Sequence, residues 1–182
     1  MDAKEIIKLL KLKRHLKEGG YFAETYRSKE KIPGKCLPVR YSGARPCSTA
    51  IYYLITADSF SAMHRLRSDE IFHFYLGDPV EMLQLFSGGK GRVVEMGNNI
   101  RKGQRLQVMV TRGVWQGTRL KKGGRFALLG TTVAPGFDFK DYEHGNREKL
   151  IRRYPRLKRA ILALTVSPTG SEYGPKRGDL RS

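Results

Sequence analysis

Cysteine is the first scarcity in this sequence. Only Cys36 and Cys47 occur, too few for a disulfide framework, and neither sits in a C-x-x-C pair of metal-binding type. A cytoplasmic protein with free thiols is the expectation. Long apolar runs are missing as well. The longest purely aliphatic one, about Ala160 to Leu164, is far short of the ~20 residues that a membrane helix needs. The N-terminal stretch Met1 to Leu12 is basic and amphipathic, but it has neither a continuous apolar core nor a small-residue cleavage site. It does not read as a signal peptide, and no membrane partner is expected.

Acidic residues are few: 17 against 35 Lys and Arg, for a net charge of +18. The excess is uneven. Residues 1–40 carry a net +6, residues 41–144 only +5 over the longest stretch, and residues 145–182 carry +7. Such a field draws anions, including nucleic acid and phosphorylated metabolites. No nucleic-acid fold motif accompanies the charge, so a solvated basic surface is expected and no specific nucleic acid is. Hydrophobic residues at 40% and aromatics at 10% of a 182-residue chain are enough to build the core of one domain.

Ile6, Ile7, Leu9, Leu10 and Leu12 recur at helical spacing after Asp2, which predicts a short helix near Lys4–Leu12 with Asp2 as N-cap. Gly19-Gly20 ends that texture. Short apolar stretches then alternate with turn residues: Tyr21 to Arg27, Thr49 to Thr56, Glu70 to Leu76, Val80 to Phe86, Leu106 to Val110 and Phe126 to Val133. Gly77-Asp78-Pro79 reads as a turn, and Lys121-Lys122-Gly123-Gly124 as a hairpin-like one. Many short strands at regular spacing mean a sandwich or a barrel. Helical texture returns at Asn146 to Tyr154 and after Pro155, a residue suited to a first turn. The organisation predicted is one domain over residues 1–166 with a loose basic tail over 167–182.

Histidine is scarce too, and two of the four, His64 and His73, fall within ten residues in MHRLRSDEIFHFYLGDP. The spacing His64-x-Leu66-x3-Glu70-x6-Gly77 resembles the first cupin motif, H-x-H-x3-E-x6-G, with Leu66 in place of the second histidine and Asp58 in place of the leading glycine. The geometry has a reason: a loop delivers the first ligand, a strand delivers an inward glutamate, and the glycine permits the next turn. Strand alternation puts Glu70, Phe72 and Phe74 on one face and Ile71, His73 and Tyr75 on the other. The second cupin motif, P-x-G-x2-H-x3-N, leaves only a trace in Thr111-Arg112-Gly113-Val114-Trp115-Gln116, with Gln116 at the histidine and Leu120 at the asparagine.

The runs EGGYFAETYRS (18–28), STAIYYLI (48–55), FSAMHRLRSDEIFHFYLGDP (60–79), GVWQG (113–117) and TVAPGFDFKDYE (132–143), from about Ile6 to Leu164, resemble the cupin-5 family, a domain of unknown function. The resemblance implies a mainly β fold: a cupin double-stranded β-helix, or jelly roll, with short N-terminal and C-terminal helices. It also implies an RmlC-like shape related to sugar-nucleotide epimerases, and a homodimer. It brings no agreed reaction. The chain departs from the family in reading His15-Leu16-Lys17-Glu18-Gly19-Gly20 where His-Pro-Glu-Gly-Gly is usual, and in having Thr111-Arg112 before Gly-Val-Trp. Glu18, Glu24, Tyr26 and Arg27 belong to a family motif that would line a neighbour's pocket in a swapped-strand dimer.

The site expected is a small-molecule pocket in the barrel mouth. His64 and Glu70 are the candidate catalytic pair, with Gln116, Phe72, Phe74, Arg65 and Trp115 as ligand-binding residues. The alternative for the pair is a structural contact closing the barrel, and Trp115 serves equally as a sugar platform or a core residue. With Leu66 replacing a ligand, no firmly held cofactor is expected; a divalent metal, if present, would use His64, Glu70 and Gln116. His73 is expected to pack on the opposite face, and His15 and His144 to be surface or capping residues. Two functions fit. One is an isomerase or epimerase on a carbohydrate-like or anionic substrate, with His64 as base, Glu70 orienting it, and Tyr53 or Tyr75 as acid. The other is a non-catalytic binding protein; nucleic-acid binding through the basic flanks, a third reading, rests on charge alone.

Overall fold

β-branched and aromatic stretches, cut by glycine, proline and aspartate turns, form strands that pair antiparallel throughout. The computed structural model describes residues 1–166; the segment 167–182, expected as a loose basic tail, lies outside the described residues. In chain order the strands are β1 (Lys13–Arg14), β2 (Tyr21–Arg27), β3 (Lys31–Ile32), β4 (Arg45–Pro46), β5 (Thr49–Thr56), β6 (Phe60–Leu66) and β7 (Asp69–Gly77). They continue as β8 (Val80–Leu85), β9 (Gly91–Met96), β10 (Gln107–Val110), β11 (Trp115–Leu120), β12 (Phe126–Ala134) and β13 (Tyr142–His144). Among the described residues three α-helices flank them: α1 (Ala3–Leu9), α2 (Arg147–Arg153) and α3 (Lys158–Leu162).

One sheet has the order β1-β2-β5-β12-β7-β10 and faces a second of order β13-β6-β11-β8-β9, while β3 and β4 form a small ribbon. Most connections cross from sheet to sheet, as in a jelly roll. The turn Gly77-Asp78-Pro79 carries β7 into β8 of the other sheet. Likewise Lys121–Gly124 is a crossing rather than the hairpin expected, since β11 and β12 lie in different sheets. The two crossings are tied together where the Asp78 carboxylate accepts from the Arg125 N–H at 2.7 Å. Gly77 has φ +104°, and a Cβ there would strike the Phe126 carbonyl. Only glycine makes that turn.

Side-chain alternation sorts the apolar residues into three cores. Tyr53, Ile55, Phe72, Phe74, Met82 and Leu129 fill the space between the sheets. Outward residues of the second sheet, Met63, Leu83, Leu85 and Trp115, meet Leu150, Tyr154 and Ile161 of the C-terminal helices. Outward residues of the first sheet, Leu54, Phe126 and Leu128, are covered by Ile6 and Leu12. Asp2 caps α1 by accepting from the Glu5 N–H at 2.9 Å. The helix stops at Leu9, short of the Leu12 expected, because Lys11 takes a left-handed φ of +52° and turns Leu12 back onto the sheet. Asn146 caps α2, and Pro155 opens the turn that follows it. Among the described residues no helix is long and apolar enough to cross a membrane.

Candidate functional site

Parity within β6 and β7 aims the polar residues of the first motif inward. Glu70 is the second residue of β7, paired with Val133 of β12 and Val110 of β10. His64 sits within β6 rather than on the loop expected; its strand partners are Gln116 of β11 and His144 of β13. The neighbours Met63 and Arg65 therefore point away from the interior. His64 and Glu70 both line a cavity of about 320 Å³ between the sheets, a size suited to a small ligand.

The hydrogen bonds of His64 fix its tautomer. Nδ1 lies 2.8 Å from the Ala62 carbonyl, which can only accept, so Nδ1 carries the hydrogen. Nε2 then holds a lone pair. The Gln116 side-chain amide donates to it at 3.3 Å and to the Glu70 carboxylate Oε2 at 2.5 Å. The orienter of His64 is thus a backbone carbonyl, and Glu70 is linked to it only through Gln116. The Tyr142 ring stacks on His64 with centroids 5.1 Å apart. Burial pushes the Glu70 carboxyl up to about 6, helped by the charge of Glu18 and opposed by His64 and by hydrogen bonds from Gln116 and Thr131.

The loop before β2 supplies two residues that sequence reasoning misplaced. His15, expected as a surface or capping residue, does accept a cap-like bond from three residues ahead, but it is buried against Phe22 and lines the cavity rather than lying at the surface. Its Nδ1 accepts from the Glu18 N–H at 2.9 Å, leaving the hydrogen on Nε2, and burial lowers its pKa. Glu18 reaches inward, accepts from the Ser61 hydroxyl at 2.6 Å, and stands 3.8 Å from His64 Nε2. Gly19 and Gly20 make this loop. Gly20 has φ +68° and a Cβ there would lie 2.7 Å from the Leu54 carbonyl, while the Gly19 carbonyl accepts from Tyr53 at 2.8 Å. The His15-x2-Glu18-Gly19-Gly20 cluster carried the signal; what was missing was the fold that lays it over β5 and β6. Glu24 and Arg27, expected to reach a neighbour's pocket, line the cavity of their own chain and grip each other at 2.6 and 2.9 Å.

Other residues expected in the site lie elsewhere. Phe72 and Phe74 share the inward face with Glu70 but pack in the core between the sheets, off the cavity wall. Gln116 is fully buried behind His64 and Glu70 rather than on the wall, and its Oε1 has no partner among the described residues. Trp115 points outward into the core beneath the C-terminal helices, and Arg65 lies over its ring at 4.5 Å while pairing with Glu143. Neither touches the cavity, because both have outward parity. Tyr53 is buried with its hydroxyl committed to Gly19, and burial holds its pKa well above 10. Tyr75 is on the outer face, stacked with His73. Neither tyrosine stands on the wall as an acid. The aromatic wall is instead Phe22, Phe137 and Phe139.

The donor set does not fit the divalent metal that the first motif holds when complete. Leu66 brings a hydrocarbon to the cavity where a second imidazole would stand. The Gln116 N–H group occupies both the Nε2 lone pair and a Glu70 oxygen. No cluster of three His, Cys, Asp or Glu suited to a metal occurs among the described residues. What the arrangement can do is hold an imidazole and a carboxyl whose pKa is raised to about 6 beside a bound molecule, and exchange protons with it.

Solved structures of high similarity share the whole fold. A hypothetical protein from Leishmania major is 29% identical with a TM-score of 0.82, covering 92% of this chain and 100% of its own. A protein from Shewanella oneidensis is 30% identical with a TM-score of 0.79, covering 91% and 98%. A variant of oxalate decarboxylase from Bacillus subtilis aligns at 13% identity and a TM-score of 0.50, over 88% of this chain and 41% of its own, and shows the fold alone. No curated protein matches the sequence. The family model Cupin_5, described as cupin superfamily (DUF985), matches residues 4–145. With that span covering most of the chain, the protein is a member of the Cupin_5 (DUF985) family of the cupin superfamily.

Proposed function

We propose that the cavity binds a small, polar, carbohydrate-like molecule and that the protein acts on it as an isomerase or epimerase, by proton transfer next to a carbonyl. The observation that carries this reading is the tautomer of His64: with Nδ1–H held by the Ala62 carbonyl, Nε2 is a base beside the cavity. When a bound substrate displaces the long 3.3 Å contact from the Gln116 amide, Nε2 takes the proton from the carbon next to the substrate carbonyl and the electron pair moves onto the carbonyl oxygen. Glu70, raised to about 6 by burial, is the group in place to return a proton to that carbon, collapsing the enolate; His64 then loses its extra proton and Glu70 regains one by exchange with solvent. The charge of the wall favours a neutral substrate over an anion. Glu18, Glu24 and Asp138 face it, and the Arg27 guanidinium is already taken up by Glu24 and the Phe137 carbonyl. We also propose a cytoplasmic homodimer with both thiols reduced, on the strength of the low cysteine content and the family resemblance.

A non-catalytic binding protein is the second reading, favoured by one observation: the Gln116 amide already engages both Nε2 and the Glu70 carboxylate. Incubation with a panel of aldoses and ketoses in deuterated water separates the two. Deuterium entering at the carbon next to the carbonyl, and falling at least ~100-fold in His64→Gln, supports the enzyme. A ligand seen by native mass spectrometry with no exchange in either protein supports binding alone.

A further inference from the structure

A groove outside the barrel, bounded by β6, β13 and the loop before β11, is lined by Arg40, Arg65, Arg67, Arg112 and Lys140. Its volume is about 770 Å³. Like charges lining one groove repel, and an ordinary surface spreads them or pairs them with carboxylates. Here the chain holds two of them together. Arg40 donates Nε to the Arg67 carbonyl at 3.1 Å, and Arg67 donates Nη1 to the Arg40 carbonyl at 2.5 Å. Arg40 also lies over the Tyr41 ring at 4.8 Å, and the Tyr41 hydroxyl bonds the Arg67 carbonyl at 3.1 Å. The two guanidiniums are thereby positioned by neutral acceptors, with donors left over and no carboxylate of the described residues on either.

The acids nearby are all engaged. Asp141 is bound to Arg45, Glu143 to Arg65, and the Asp69 carboxylate to the Arg112 backbone N–H. Among the described residues the side chains of Arg40, Arg67, Arg112 and Lys140 make no ion pair. Pre-positioned guanidinium forks match phosphate oxygens in geometry as well as charge. The geometry points to a second binding site in this groove, for a small molecule carrying two or more phosphates. Four unpaired cations balance the charge of such a ligand, and the groove is large enough to hold it. This site is separate from the cavity and does not depend on the function proposed for it, although Leu66 borders both.

Inorganic tripolyphosphate, titrated calorimetrically into the full chain at about 0.1 M salt, where the general field is largely screened, is the probe. Saturable binding with one site per chain is expected. The double variant R40K/R67K keeps the net charge of +18 and loses the forks; at least a roughly tenfold loss of affinity is expected. R112A/K140A should weaken binding as well, while Arg125→Ala, a distant and exposed arginine, should not. Absence of binding, or equal binding by wild type and R40K/R67K, would overturn the site and leave only a diffuse field. A single-stranded RNA dodecamer bound more tightly than tripolyphosphate, with the same dependence on the variants, would overturn the small-molecule assignment.

Discussion

Replacing Glu70 with glutamine should stabilise the protein at neutral pH. Glu70 is buried, and its carboxyl is raised from 4.5 to about 6 in the fold. Between those values the native state binds more protons than the unfolded chain, so stability falls as pH rises through the window. Below about 4.5 both states are protonated and the penalty is absent; above about 6 it is fully present. A shift of this size corresponds to about 2 kcal/mol. A glutamine side chain at this position would carry no charge to desolvate and could still accept from the Gln116 amide through its own carbonyl. The expected result is that E70Q exceeds wild type by up to ~2 kcal/mol at pH 8, or about 4–8 °C in Tm for a domain of this length, with the gain vanishing near pH 4. Urea unfolding of both proteins at the two pH values measures it. Taking the difference between them cancels the pH dependence of every shared group. A variant less stable at pH 8, or a gain equal at both pH values, would refute the claim that burial of the charged carboxylate dominates at this position. If Glu70 also exchanges a proton with substrate, the stabilised variant should be inactive, the trade expected of a strained catalytic group.

The buried Arg45–Asp141 pair joins β4 to the turn behind Phe137 and Phe139, with contacts of 2.6 and 2.7 Å. Arg45→Met leaves the Asp141 charge buried and should cost about 3–5 kcal/mol in chemical denaturation; a cost below ~1 kcal/mol would mean that solvent reaches the site. Gly20→Ala should destabilise by at least about 1 kcal/mol, because alanine must adopt φ +68° and meet the Leu54 carbonyl, and it should weaken ligand binding by displacing His15 and Glu18. A thermal melt no different from wild type would argue that this loop is free to move. Light scattering should give twice the chain mass of 20.7 kDa at micromolar concentration; a single-chain mass would end the homodimer expectation.

What could be read along the chain was what depends on near neighbours. Asp2 and Asn146 mark helix starts because a cap bonds only three residues ahead. The run from Glu70 to Leu76 reads as a strand, and its parity correctly separates Glu70 from His73, because alternation is local. The His64-to-Gly77 spacing named the superfamily for the same reason. The strand parity of His64 and Gln116 shows where such reading stops. Their pairing across β6 and β11 depends on how two strands carrying residues 52 positions apart are registered, and their depth behind the wall depends on what covers them. Trp115 and Arg65 went to the outer side because each neighbours an inward residue, a fact invisible until β6 and β11 were known to lie in the second sheet. His15 and Glu18 became cavity residues only through the glycine loop that the fold presses onto β5 and β6. Sequence by itself determined the elements, the motif and the charge, all set by neighbours within a turn or a strand. Tertiary structure alone decided which side chains share the cavity and which arginines share a groove, because those meetings are made by packing between segments that the chain keeps far apart.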